Sequence, residues 1–112
     1  MKLNKNNVLD YFIEKVNDSL YPLKMGGYIN ESSVKELLEI AEEATRIFRD
    51  ESLVPKKLLS EMYLVSLGFE SENVYVKNDL LSFVSERVLD CFNLILAGQS
   101  IDDKKQNGPR II

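Results

Sequence analysis

The chain has no histidine and no tryptophan, and its 112 residues include one cysteine and three prolines. Lacking His, it lacks the commonest general base at neutral pH, every Ser–His or Cys–His nucleophile pair, and the ordinary His-containing metal sites. The lone Cys91 can close no internal disulfide and build no multi-thiolate zinc site, which fits a reducing compartment. Its neighbours Leu89, Phe92, Leu94 and Ile95 mark it as a buried, inert thiol. No apolar run approaches the roughly 20 residues that span a bilayer. Met1 to Asp10 is mostly polar and shows no basic-then-apolar secretory pattern, so the expected location is the cytoplasm. The Gly26-Gly27 pair belongs to no Gly-x-x-x-x-Gly-Lys-Ser/Thr or Gly-x-Gly-x-x-Gly motif. The expectation is a protein without catalytic, cofactor-binding or metal-binding residues.

What is present is enough for one folded domain. At this length folding removes about two-thirds of the unfolded chain's accessible surface. A hydrophobic content of 45%, with five Tyr and five Phe, supplies a core without metals or disulfides. The net charge of −4 and the pI near 4.9 disfavour nucleic acid, whose binding depends on Lys and Arg displacing phosphate counterions. They disfavour an anionic membrane surface for the same reason. A basic protein partner remains compatible, because opposite potentials speed encounter and fix orientation.

Hydrophobic spacing predicts an all-α single domain of about four main helices over residues 1–98, with 99–112 as a flexible C-terminal tail. The first helix is expected from about Asn7 to Ser19, capped by Asn6 or Asn7 and ended before Pro22. The connection Leu20 to Ile29 then reads as a loop packed over the core. The second helix is read over Glu31 to Glu51. Its entry is the capping box Ser33-Val-Lys-Glu36, and its core stripe is Val34, Leu37, Leu38, Ala41, Ala44, Ile47 and Phe48. The third helix is expected to start at Pro55, to use Leu58, Leu59, Met62, Tyr63 and Leu67 as its apolar face, and to end at Gly68. Glu70 to Lys77 is read as a turn or short helix. Asn78 or Asp79 caps the fourth helix, which is apolar around much of its circumference, is expected to be central, and stops at Gly98.

The charge imbalance sits in one place. Glu31 to Glu51 carries −4, against +1 before it and −1 after it. Within it Glu36, Glu39, Glu43 and Asp50 fall at offsets 0, 3, 7 and 14, a narrow helical stripe. Lys35–Glu39, Glu42–Arg46 and Arg46–Asp50 are the expected ion pairs at i,i+4, leaving Glu36, Glu39 and Glu43 with the largest excess. A second acidic group, Glu70, Glu72 and Asp79 around Tyr75, makes a candidate hot spot for a Lys- or Arg-rich surface. These eight residues are the candidate partner-binding set.

Two stretches carry a family resemblance. Val54 to Tyr63 (Val-Pro-Lys-Lys-Leu-Leu-Ser-Glu-Met-Tyr) and Leu89 to Gly98 (Leu-Asp-Cys-Phe-Asn-Leu-Ile-Leu-Ala-Gly) bound a region of about 45 residues. That region resembles the small immunity proteins of bacterial contact-dependent inhibition and polymorphic toxin systems. The resemblance is one of texture: a helix, an aromatic-containing turn, and a long apolar helix ending at Gly. It implies a cytosolic antitoxin that binds a cognate toxin domain, commonly a basic nuclease, and blocks its active site or substrate groove as a monomer or 1:1 complex. The alternatives are a structural or regulatory helical subunit, including an oligomer joined through Tyr21 to Ile29, and a Mg-dependent enzyme. For the last, Glu36-x-x-Glu39 resembles the first motif of MazG-type nucleotide pyrophosphatases. The only downstream pair, Glu86 and Asp90, is spaced Glu-x-x-x-Asp and departs from that family's register.

Overall fold

The computed structural model describes residues 2–103 and is all-helical among them, with four main helices. These are α1 (Val8–Gly26), α2 (Glu31–Ile47), α3 (Lys56–Val76) and α4 (Asp79–Leu96). The helices stand at the corners of a square: α1 packs against α2 and α3, and α4 packs against the same two from the opposite corner. Phe12, Leu37, Leu58, Met62, Phe69, Leu81, Val84 and Val88 fill the middle and are fully buried. Each such side chain contributes about 1.5–3 kcal/mol by leaving water. None of the described helices is long and apolar enough to cross a membrane.

Four helix ends differ from the sequence reading, three of them in α1 and α2. Pro22 lies inside α1, which runs on to Gly26. The carbonyl that Pro22 leaves without an N–H is that of Asp18, and the side-chain amide of Asn30 donates to it at 3.5 Å. The same Asn30, rather than Ser33, caps α2: its Oδ1 accepts from the Ser33 N–H at 3.4 Å, so the helix begins earlier and Ser33 is buried within it. At the other end α2 stops at Ile47, and Asp50 takes a left-handed backbone (φ 61°) while its N–H donates to the Gly98 carbonyl at 3.1 Å.

Gly68 does not end α3. It sits mid-helix against Leu20 of α1, and a Cβ there would lie 3.1 Å from Cδ2 of that side chain. The glycine therefore serves helix approach, and α3 continues through Glu70 to Val76. Asn7 holds the N-cap position of α1 without a side-chain capping bond into the helix. Its Oδ1 accepts from the Asn4 N–H at 2.8 Å, and the Asn4 side chain takes the Asn6 and Asn7 N–H groups in return. The two ends of α4 are as read: Asn78 Oδ1 accepts from the N–H groups of Leu80 and Leu81, and Gly98 follows with φ 74°.

Two polar contacts lock the helices. Ser66 and Ser85 are buried where α3 meets α4, each hydroxyl donating to the other's carbonyl, at 2.8 and 3.0 Å. Residues 99–103 return over the end of α2: Ile101 is buried, and its N–H donates to Thr45 Oγ1 at 3.0 Å. Two guanidinium forks fasten this strap. Arg46 grips Asp102 at 3.0 and 3.4 Å, and Arg49 grips Asp103 at 2.6 and 2.9 Å. The expected tail boundary after residue 98 thus lies too early, while 104–112 fall outside the described residues.

Candidate functional site

The predicted acidic stripe becomes one wall of an open groove of about 630 Å³ between α2 and the start of the chain with α1. Glu36, Glu39 and Glu43 share that wall because offsets of three and four return to one helix face. Ile40 lies between them, and Leu3 with Lys2 and Lys15 forms the opposite side. Asp50 is not part of it. Displaced by the end of the helix, it pairs with Arg49 at 2.8 Å beside Gly98.

Cations from other elements reach the ridge, which changes its electrostatics. Lys15 of α1 meets Glu36 at 3.4 Å, and Arg46 meets Glu43 at 3.0 Å. Glu42 turns away to Arg87 of α4 at 2.8 Å. None of the three expected i,i+4 pairs is among the ion pairs formed; Arg46 is taken by Glu43 and Asp102 instead. The groove is lined by four acids and by Lys2, Lys15 and Arg46, an excess of one negative charge. Glu39 is the groove acid left exposed without an ion-pair partner among the described residues.

The protonation states follow the same contacts. Burial of the Lys15 stem works against its charge, yet the hydrogen bond and charge of Glu36, with Asp18 and Glu14 nearby, hold its ammonium above the ordinary value. The Asp102 and Glu43 carboxylates raise Arg46, and the Glu42 carboxylate raises Arg87. Arg87 also lies 5.6 Å from the Phe83 ring centroid, and its Nε is buried without a hydrogen-bond partner. Lys15, Arg46 and Arg87 therefore hold their charge throughout the physiological range.

The second predicted group does not assemble as one site. Glu70 and Tyr75 are five positions apart on a continuous helix, about 140° around its axis. Glu72 and Tyr75 share the flank of α3 nearer α1, and Glu70 lies on the flank nearer α4. Asp79, in the first turn of α4, instead borders a smaller groove with Glu31 and Lys35 at the start of α2. Tyr75 is 81% exposed. Among the described residues no three Asp, Glu or Cys side chains converge to hold a metal ion.

Periodicity misassigned one further surface. Tyr63 and Leu67 were expected in the core, but Leu58, Met62, Val65 and Phe69 are buried while Tyr63, Leu64, Leu67 and Val74 face outward. Nor is α4 central: it occupies a corner, so Phe83, Leu89 and Leu96 reach solvent. The signal that could have shown this is the surplus itself, since a corner helix cannot bury apolar residues on every side. Compared with known proteins, the chain matches no family model, no curated protein and no solved structure.

Proposed function

We propose that this chain is a binding protein that neutralises a toxin, an immunity protein acting in the cytoplasm on a basic cognate toxin domain such as a nuclease, in a 1:1 contact. One observation carries the reading: the groove wall of α2 presents Glu36, Glu39 and Glu43 in one row, with Glu39 exposed and without an ion-pair partner among the described residues. A carboxylate row at helical spacing offers acceptors to the guanidinium groups of a phosphate-binding surface, which engage such oxygens in bidentate fashion. Lys15 and Arg46 restrain Glu36 and Glu43 before binding, which lowers the ordering cost of association. The same contacts reduce the groove's charge, so Glu39 is the acid on which recognition of a basic partner rests.

A structural or regulatory helical subunit is the second reading, favoured by the exposed Tyr21, Met25 and Tyr28 at the end of α1 and the turn after it. The product of the gene immediately upstream separates the two. The immunity reading expects a large secreted protein ending in a compact basic domain, whose purified activity disappears on addition of one equivalent of this chain. Full activity in the presence of an excess of the chain overturns it.

A further inference from the structure

The outward face of α3 carries more apolar surface than an isolated helix of this fold needs. Leu64, Leu67, Val74 and Tyr75 point away from the core and are 57, 44, 65 and 81% exposed. The patch continues across the seam with α4. Tyr63 packs tilted against Phe92 with ring centroids 5.6 Å apart, and Leu89 and Leu96 flank Phe92 at helical offsets of three and four. Together these seven exposures amount to nearly four whole side chains, or roughly 600–800 Å² of apolar surface. The largest such patch on a typical monomer is about 300–600 Å².

We propose that this face is the interface between two copies of the chain, related by a two-fold axis close to Leu64. The area argues for it, since a standard interface buries about 800 Å² on each partner and this patch alone approaches that figure. Charge argues for it as well. The rim is basic at the start of α3, with Lys56 and Lys57, and acidic further along, at Glu70. An antiparallel pairing centred beside Leu64 sets Lys56 of one copy opposite Glu70 of the other, and the symmetry makes that contact twice. The two positions lie within about 40° of each other on the helix, and a two-fold axis brings like flanks together. A parallel arrangement would oppose Lys56 to Lys56.

The proposed interface leaves the candidate groove free. In the square of helices α2 stands diagonally across from α3, so two copies joined through α3 carry their α1–α2 grooves on the outside. The proposal is independent of the toxin-binding reading: each copy offers one groove whether or not a toxin is its ligand.

Sedimentation of the full chain from about 1 to 500 µM tests it, the range in which an interface of this size and modest polarity associates. Dimers are expected to predominate at the upper end, and Leu67→Glu should weaken dimerisation about 100-fold or more while its thermal unfolding midpoint stays within a few degrees of the parent. A residue beside a two-fold axis meets its own copy, so Leu64→Cys should cross-link to itself on mild oxidation, whereas Ser32→Cys on α2 should not. This second measurement decides the matter if Leu67→Glu fails to fold. A chain that stays monomeric at every concentration overturns the proposal, including the case in which another protein covers α3. So do dimers that survive both Leu67→Glu and Tyr75→Ser, and a Leu64→Cys variant that cross-links no faster than Ser32→Cys.

Discussion

Replacing Gly68 by Ala distinguishes a helix that ends at Gly68 from one that passes through it, and the sign of the effect carries the answer. In a helix interior Gly→Ala gains about 1 kcal/mol, because glycine loses more backbone freedom on folding. Here the new methyl would sit 3.1 Å from Cδ2 and 3.3 Å from Cδ1 of Leu20, closer than the roughly 3.5–4.0 Å of good carbon contact. Overpacking of this kind costs about 1–3 kcal/mol where neighbours cannot yield. Leu20 is only half-buried, so its methyl groups can give by a few tenths of an ångström, and the single variant should fall near neutrality. Truncating the obstacle removes the conflict. In a Leu20→Ala background, Gly68→Ala should recover the full gain of about 1 kcal/mol, giving a coupling of about 0.5–1 kcal/mol between the two sites. Urea unfolding of the four proteins in the cycle measures it. Were Gly68 a left-handed helix terminus, Ala would cost about 1–2 kcal/mol in both backgrounds, and additive losses of that kind would refute this packing.

Two further outcomes follow from the ion pairs. Asp103 is held down from 3.8 to about 2, first by the Arg49 guanidinium and then by the Ser100 N–H. Because its folded-state value lies below the unfolded one, the contact's stabilisation is complete above about pH 4 and is lost as pH falls towards 2. The carboxyl carbon shift of Asp103 should therefore titrate with a midpoint near 2, and a midpoint at 3.8 would show that Arg49 does not hold it. Glu42→Ala should destabilise the protein by about 1–3 kcal/mol, since it leaves the partly buried Arg87 guanidinium without its carboxylate. Chemical denaturation checks this, and restoration of stability in the Glu42→Ala, Arg87→Met double variant would confirm that the loss is an uncompensated charge.

The parts of this fold visible in the sequence are those set by signals within one helix. The α2 stripe from Val34 to Phe48, the Asn78 cap of α4 and the left-handed Gly98 depend on local spacing and backbone preference, and they stand as read. The misread features depend on a partner distant in sequence. Pro22 looked terminal because Asn30 could not be known to satisfy the Asp18 carbonyl, and Gly68 looked like a stop because Leu20 could not be known to lie against it. Ser66 and Ser85 gave no polar signal in an apolar helix, yet each finds its partner on the facing one. The candidate site divides in the same way. Glu36, Glu39 and Glu43 share a face by helix geometry alone, whereas their neutralisation by Lys15 and Arg46 depends on rotamers and on packing between helices. Glu70, Glu72, Tyr75 and Asp79 are close in sequence but spread around α3 and onto α4, since a continuous helix rotates neighbours apart.

The most direct test of partner recognition is calorimetric titration of the basic toxin domain that the immunity proposal expects to be encoded upstream, with the parent chain and with Glu39→Lys. Glu39 supports no ion pair among the described residues, so the substitution should leave the unfolding midpoint within about 2 °C of the parent. Affinity should fall by about tenfold or more, and the difference should shrink as salt is raised. An affinity unchanged by Glu39→Lys, with the protein still folded, would contradict the assignment of the α2 groove as the binding site.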